Sequence, residues 1–270
     1  MTTLAAQTAP TTGAARVRPA IVYTLMVLVG AAAFLYPFWL PSTALTDQAH
    51  NGDAPLVAAL VGALVILAVM LELRRGTMNG ATVALLGMLA ASAGLLRLID
   101  LPGGGSGIFF LVVLAGAAFG PRFGLLLGMC AMAVSAVVTG GIGPWLPFQM
   151  LALGWMGGGA GLLGRFTAHF DTRIEVLVLA AYGWVWGFLY GAILNLWFWP
   201  FARGGALDWH PGLSLGATLH RYWQFYVATS LPWDAAAAVT NAVIILVVGL
   251  VLLRSLRRFA HRLEPAVELV

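Results

Sequence analysis

The sequence predicts an all-α, polytopic membrane protein with about eight transmembrane helices. Hydrophobic residues make up 61% of the 270 residues, and the mean hydropathy is +0.92. Charged residues make up only 9%, whereas soluble domains carry about 25%. Several apolar runs approach the length of about 20 residues with which a helix crosses a bilayer. These three observations exclude most soluble folds.

Eight apolar segments without a charged residue carry the prediction. They are Ala20–Leu40, Pro55–Leu71, Met78–Leu96, Ile108–Phe119, Phe123–Val138, Pro147–Gly164, Val176–Pro200 and Ala235–Leu253. Residues 1–19 are polar and are predicted to be a disordered tail. The first segment could be a secretory signal cleaved after Ala33, but the apolar run continues to Leu40, which favours a retained anchor.

The fourth segment is the shortest of the eight. Its 12 residues rise about 18 Å as a helix, less than the hydrocarbon thickness of about 30 Å. We therefore expect either a helix that begins near Gly105 or a short helix shielded by its neighbours. No internal repeat of the kind found in many secondary transporters is visible.

The basic residues predict the orientation and exclude some chemistry. All 14 are arginines, which excludes a phosphate-binding loop and a lysine Schiff base. With both termini in the cytoplasm, eleven arginines lie inside, and only Arg97, Arg203 and Arg221 lie outside, as the positive-inside rule requires. The net charge of +4 is then typical of cytoplasmic loops and does not indicate nucleic-acid binding.

The apolar segments contain no Asp, Glu, Lys, Arg or His, which argues against self-powered transport. Ion-coupled carriers need such a group within the membrane. The polar side chains present are mostly amides and hydroxyls, namely Gln149, Asn195, Thr240 and Asn241. Each amide either bonds a neighbouring helix or contacts a ligand. An autonomous secondary transporter or facilitator for a small ring-containing solute therefore stays an alternative.

A second alternative is an intramembrane serine hydrolase. The run Gly104-Gly105-Ser106-Gly107 matches the Gly-x-Ser-Gly pattern of rhomboid proteases, whose chemistry needs a membrane-embedded histidine. The five histidines are all assigned to loops or tails. We expect Ser106 to cap the following helix instead. No His/Cys cluster predicts a metal site, and the single Cys130 is expected to be a small buried hydrophobe.

The tryptophans are concentrated on one face of the predicted topology. Seven of the ten lie near the outer face: Trp39, Trp145, Trp197, Trp199, Trp209, Trp223 and Trp233. An interfacial aromatic belt would populate both faces. The imbalance predicts an aromatic-lined outer cavity able to stack a planar ligand. The outer loop Phe201–Trp233 is long enough to act as its lid.

Three stretches carry a resemblance to a known family. They are Phe119–Gly124, Gly140–Met150 and Trp186–Pro200, with Asp234 and Asn241 on the last span. Together they resemble the substrate-capture (S) component of energy-coupling-factor (ECF) transporters. The stretch Gly-Pro-Trp-x-Pro-x-Gln-Met, which ends at Met150, is closest to members that take cobalamin or its precursors.

The resemblance implies a domain organisation and a transport mechanism. It implies a six-helix core over residues 78–258, two additional helices over 20–75 and a cytoplasmic tail over 259–270. In the family, the S component binds a vitamin from outside and topples in the membrane after docking on a transmembrane coupling protein. Two separate ATPases then drive release. The chain itself is expected to be no enzyme, to need no cofactor and to lie in the bacterial cytoplasmic membrane.

Two sets of residues follow from these arguments. Family members dock through small residues on their first helix, and the matching residues are Gly87, Ala90, Ala91 and Gly94. Candidate ligand contacts lie at the outer ends of the spans or in the turns and loops beside them. They are Arg97, Asp100, Trp145, Gln149, Asn195, Trp199, Trp223 and Asn241.

Overall fold

The computed structural model describes residues 19–39, 52–99, 101, 106–202 and 205–263. Within these ranges the chain forms nine α-helices and no β-strand. The helices are α1 Pro19–Leu35, α2 Ala54–Arg75, α3 Gly80–Leu96, α4 Ile108–Phe119, α5 Pro121–Thr139, α6 Leu146–Thr167, α7 Thr172–Phe198, α8 Leu215–Thr229 and α9 Leu231–Leu263. Two short 3-10 helices, Tyr36–Trp39 and Trp199–Phe201, follow α1 and α7.

The helices confirm the predicted all-α, polytopic membrane architecture. All helices except α8 correspond to the eight apolar segments, and five helical stretches are long and apolar enough to cross a membrane. The last helix continues beyond the predicted span, so that His261 is helical. His220 also lies in a helix, α8. Assigning these two histidines to loops or tails was wrong.

Helix α8 lies in the outer segment that the sequence predicts to be a loop. Its 15 residues mix apolar and polar side chains, so no uninterrupted apolar run marked it as a helix. Ser214 caps its start by accepting a hydrogen bond from the amide of Ala217. The hydroxyl of Tyr222 donates to the carbonyl of Ala192 on α7. The outer segment is therefore attached to the helix bundle by an ordered helix.

Helix α4 is short because it is enclosed by other helices. It begins at Ile108 rather than near Gly105, and 11 of its 12 residues are buried. It packs against α5, α6 and α9. A helix shorter than the hydrocarbon thickness is tolerated when protein surrounds it. The second of the two expectations for this segment is confirmed.

Helices α4, α5 and α6 meet through glycines. The carbonyl oxygen of Gly157 on α6 lies against both Gly116 on α4 and Gly124 on α5, with no room for a side chain. Small residues let helix backbones approach closely, which is a main source of association between helices in lipid. Gly154, Gly157 and Gly161 recur at intervals of three and four and form this contact face.

The two N-terminal helices both contact α6. A side chain at Gly30 of α1 would collide with the indole ring of Trp155 on α6. One helical turn later, the rings of Phe34 and Phe148 meet edge to face with centroids 5.2 Å apart. Helices α1 and α2 therefore cover the α6 side of the bundle.

Two buried carboxylates lie at the arginine-rich ends of the helices. Glu72 near the end of α2 pairs with Arg122 at 3.5 Å, and Glu175 at the start of α7 pairs with Arg257. Thr167 also donates to Glu175 at 3.0 Å. Both glutamates immediately flank predicted apolar segments. Burial of a carboxylate is tolerated when a cation and hydrogen bonds compensate for the lost solvation.

Candidate functional site

A partly open cavity with both polar and apolar lining lies at the end of the bundle that the predicted topology places outside. Its volume is about 230 Å³. We call it the central cavity. Its lining residues are Arg97, Ser106, Ile108, Phe109, Met132, Gly187, Tyr190, Trp233, Asp234 and Ala237. These residues come from or adjoin five helices, α3, α4, α5, α7 and α9, so the cavity exists only in the assembled bundle.

Arg97 and Asp234 bring opposite charges to the central cavity. Arg97 follows the last turn of α3, and its Nη1 lies 3.1 Å from Met132 Sδ and 3.5 Å from Ser135 Oγ. Asp234 lies in the first turn of α9, and its carboxylate packs against Gly191 of α7. A side chain at position 191 would displace this carboxylate. No ion pair joins these two described residues. Both charges are therefore available to a molecule placed between them.

Two buried oxygen atoms in the central cavity have no hydrogen-bond partner among the described residues. They are Ser106 Oγ and Asp234 Oδ2. The expectation that Ser106 caps α4 was wrong, because no side chain caps this helix and its N-cap residue is Gly107. An unsatisfied buried polar atom costs about 1–3 kcal/mol. A bound molecule with hydrogen-bond donors would satisfy both atoms.

Aromatic rings form much of the remaining wall. The ring centroids of Phe109 on α4 and Tyr190 on α7 are 4.8 Å apart. Trp233 lies next to Asp234 and adds an indole ring. A few converging polar groups within an aromatic wall are typical of small-molecule sites. The central cavity is therefore suited to binding a small compound with a ring and both hydrogen-bond donors and acceptors.

The lining of the central cavity does not match the rhomboid-type alternative. No histidine is among the lining residues of the central cavity, although Ser106 is. Across the described part of the chain, no group of three or more His, Cys, Asp or Glu side chains could hold a metal ion. The lining of the central cavity therefore lacks the histidine that a rhomboid-type serine would need.

A second, larger cavity lies near the outer end of α7. Its volume is about 710 Å³, and its aromatic lining consists of Phe38, Trp39, Trp199, Trp209 and Tyr222. The ring of Phe38 lies 5.9 Å from that of Trp199 and 5.3 Å from that of Trp209. An aromatic outer cavity was predicted, but three of the seven outer tryptophans line it. The contribution of Phe38, which follows α1, was not predicted.

Comparison with known proteins decides the family. The family model of the ECF transporter substrate-specific component matches residues 81–249, which is more than half of the chain. The chain belongs to this family. As an S component it is a multi-pass membrane subunit that binds a transport substrate and is not an enzyme, and the family associates with coupling and ATPase modules. No curated protein and no solved structure matches the chain.

The residues predicted to contact the ligand of this S component lie in different parts of the structure. Arg97 lines the central cavity and Trp199 lines the outer one, whereas Trp145, Gln149 and Trp223 line neither. Asp100 lies outside the described residues.

The two predicted asparagines bond protein groups. Asn195 donates to Ser230 Oγ at 2.7 Å, and Asn241 donates to the carbonyl of Gly183 at 2.8 Å. Asn195 therefore joins α7 to the residue between α8 and α9, and Asn241 joins α9 to α7. Asn241 Oδ1 is buried without a hydrogen-bond partner among the described residues, so a ligand contact by this amide stays a prediction.

The small residues of α3 fall on two different faces. A side chain at Gly87 would meet open space, and Ala91 is half-buried on the same face one turn later. Ala90 is buried, and a Cβ at Gly94 would lie 2.9 Å from Val134 Cγ1 of α5. Ala90 and Gly94 therefore pack inside this S component, and only Gly87 and Ala91 face outward.

Proposed function

We propose that this S component captures a small vitamin or vitamin precursor in the central cavity and passes it to an ATP-driven coupling module. One observation carries the proposal. A cavity at the predicted outer end of the bundle contains Arg97 and two buried, unpartnered oxygen atoms, of Ser106 and Asp234. Buried polar groups are normally satisfied, so an exception inside a cavity supports a ligand there.

The charges of the central cavity indicate what the ligand carries. The Arg97 guanidinium favours a carboxylate or another oxygen acceptor, and the Asp234 carboxylate favours an N–H or O–H donor. Ser106 can accept or donate. Phe109 and Tyr190 favour a ring between these polar ends. A ring-containing compound with an acidic or carbonyl end and a donor end fits all four features.

The size of the central cavity favours a ligand smaller than cobalamin. Pockets for drug-sized ligands measure about 300–1,000 Å³, and a corrinoid is larger than most such ligands. The central cavity measures about 230 Å³. Resemblance to cobalamin-type members rests on the stretch that ends at Met150, and neither Trp145 nor Gln149 of that stretch lines the cavity. A corrinoid is therefore the alternative ligand.

Mass spectrometry of molecules that co-purify with the protein tests this proposal. We expect a ring-containing compound at close to one molecule per protein. Recovery of a corrinoid would overturn the size argument. Recovery of no small molecule, together with failure to co-purify any ATPase, would contradict the capture function itself.

The proposed energy source lies on other chains. With no lysine in the sequence, a phosphate-binding loop with its invariant lysine cannot form. We propose one transmembrane coupling protein and two ATPase subunits as partners, in the bacterial cytoplasmic membrane. This S component then contributes binding, and the ATPases drive release.

The outward face of α3 provides a test of docking. Replacing Gly87 with leucine should reduce co-purification of the coupling module by about ten-fold, because a bulky side chain prevents close approach of two helices. Binding of the small molecule should be unchanged. Affinity purification from cells that express the complete transporter measures both quantities.

Gly62 on α2 supplies the matched control. A side chain there also meets open space, so Gly62→Leu makes the same chemical change on a helix outside the matched family range. Normal assembly of the Gly87→Leu variant would show that α3 is not the docking helix.

A further inference from the structure

A cleft at the arginine-rich end of the bundle is separate from both outer cavities. Its volume is about 710 Å³. The ionisable side chains that line it are Arg122, Arg165, His169, Arg257 and His261. No acidic side chain is among its described lining residues. We call it the arginine cleft, and the proposed substrate capture does not use it.

Two of the arginines are held in place by buried carboxylates outside the cleft. Glu72 orients Arg122 from α2, and Glu175 orients Arg257 from α7. A guanidinium has five N–H donors, and each of these carboxylates engages only part of that set. The remaining donors of each planar guanidinium have the fork geometry that binds phosphate oxygens.

The third arginine supplies an uncompensated charge. Arg165 at the end of α6 is exposed and makes no hydrogen bond or ion pair with any residue that the structure describes. Pro121, the first residue of α5, also lines the cleft and places the positive end of that helix dipole there.

The rest of the wall is small and apolar. It includes Gly161, Gly164, Ala117, Ala260 and Phe119. Cationic side chains above an apolar wall suit a molecule with an anionic head and a hydrocarbon body. Basic pockets between transmembrane helices on the cytoplasmic side bind anionic lipid headgroups.

We propose that the arginine cleft binds a phosphate group, carried either by an anionic lipid or by a soluble anion. Arg122 and Arg257 hold the phosphate oxygens from two sides, and Arg165 adds the net positive charge that selects an anion over a zwitterion. In the lipid case, the bound headgroup fixes the depth of this end of the bundle in the membrane.

Native mass spectrometry of delipidated protein tests the proposal with three probes: phosphatidylglycerol, phosphatidylcholine and inorganic phosphate. Arg165→Gln should weaken binding of the anionic probe about five-fold, since one arginine near a charged surface contributes about 1 kcal/mol. Arg258→Gln is the control, because Arg258 is exposed on the same helix as Arg257 and does not line the cleft.

A second pair of variants does not depend on removing an arginine. Ala168 lines the cleft and is exposed, so it tolerates a longer side chain. Ala168→Glu should repel the phosphate, whereas the neutral Ala168→Gln of equal size should bind normally. An Arg165 effect confined to phosphatidylglycerol identifies a lipid, and one seen with inorganic phosphate identifies a soluble anion. Equal losses in Arg165→Gln and Arg258→Gln, or no loss in Ala168→Glu, would overturn the proposal.

Discussion

Replacing Arg97 with glutamine is expected to lower the affinity for the captured molecule by about 30-fold or more. Removing one partner of a buried, hydrogen-bonded charge pair costs about 2–5 kcal/mol. Arg97 provides the cation of the central cavity, and glutamine keeps the length but removes the charge and the planar fork. The amount of compound recovered per mole of purified protein, measured by mass spectrometry, gives the result.

Arg221 serves as the control for this substitution. It lies on α8, near the same face, and donates to the carbonyl of Asp208 at 3.0 Å without lining the central cavity. Arg221→Gln removes the same charge and should retain the compound. If both variants retain it equally, the ligand does not bind through Arg97.

Replacing Gly157 with leucine is expected to prevent the bundle from assembling. A Cβ at this position would collide with the carbonyl of Gly124 on α5 and would lie 2.9 Å from Val112 Cγ1 on α4. Overpacking of a well-packed core costs about 1–3 kcal/mol, and more when backbone must move. Size-exclusion chromatography in detergent should show aggregated protein in place of a monodisperse peak.

Gly62→Leu again provides the comparison, since it adds the same side chain in open space. It should elute normally. A monodisperse and thermally stable Gly157→Leu variant would show that α4, α5 and α6 are not held together by this glycine contact.

The sequence predicted the helices well because membrane helices are long uninterrupted apolar runs. Helix α4 ends before Gly120, whose positive φ of 91° breaks the helical conformation. Helix α5 begins at Pro121, a residue that fits the first turn of a helix. Helix α8 was missed because its mixture of polar and apolar residues gives no such run.

The candidate site was predictable only in part. Arg97 stood out as one of three outer arginines, but Ser106, Tyr190 and Asp234 come together only through helix packing. The decisive local signal is Gly191, which makes room for the Asp234 carboxylate on the facing helix. A glycine on one helix and an acid on another reveal their proximity only after the register of α7 and α9 is known.

The arginine cleft could also be predicted from the sequence only in part. The positive-inside rule explains why arginines collect at one end, but it gives every arginine the same role. In the structure, buried Glu72 and Glu175 distinguish Arg122 and Arg257 from their neighbours by fixing their side chains. Those pairings join residues far apart in the chain, so sequence spacing could not predict them.

The short, enclosed helix α4 has a consequence for biogenesis. At 12 residues it is too short to span the hydrocarbon core alone, and α5, which follows directly after Gly120, is long and apolar enough to do so. We therefore expect α4 and α5 to enter the bilayer together as a hairpin during synthesis. Helix α4 alone would have no stable position in the lipid, so the centre of the bundle is expected to form only after α5 has been synthesised.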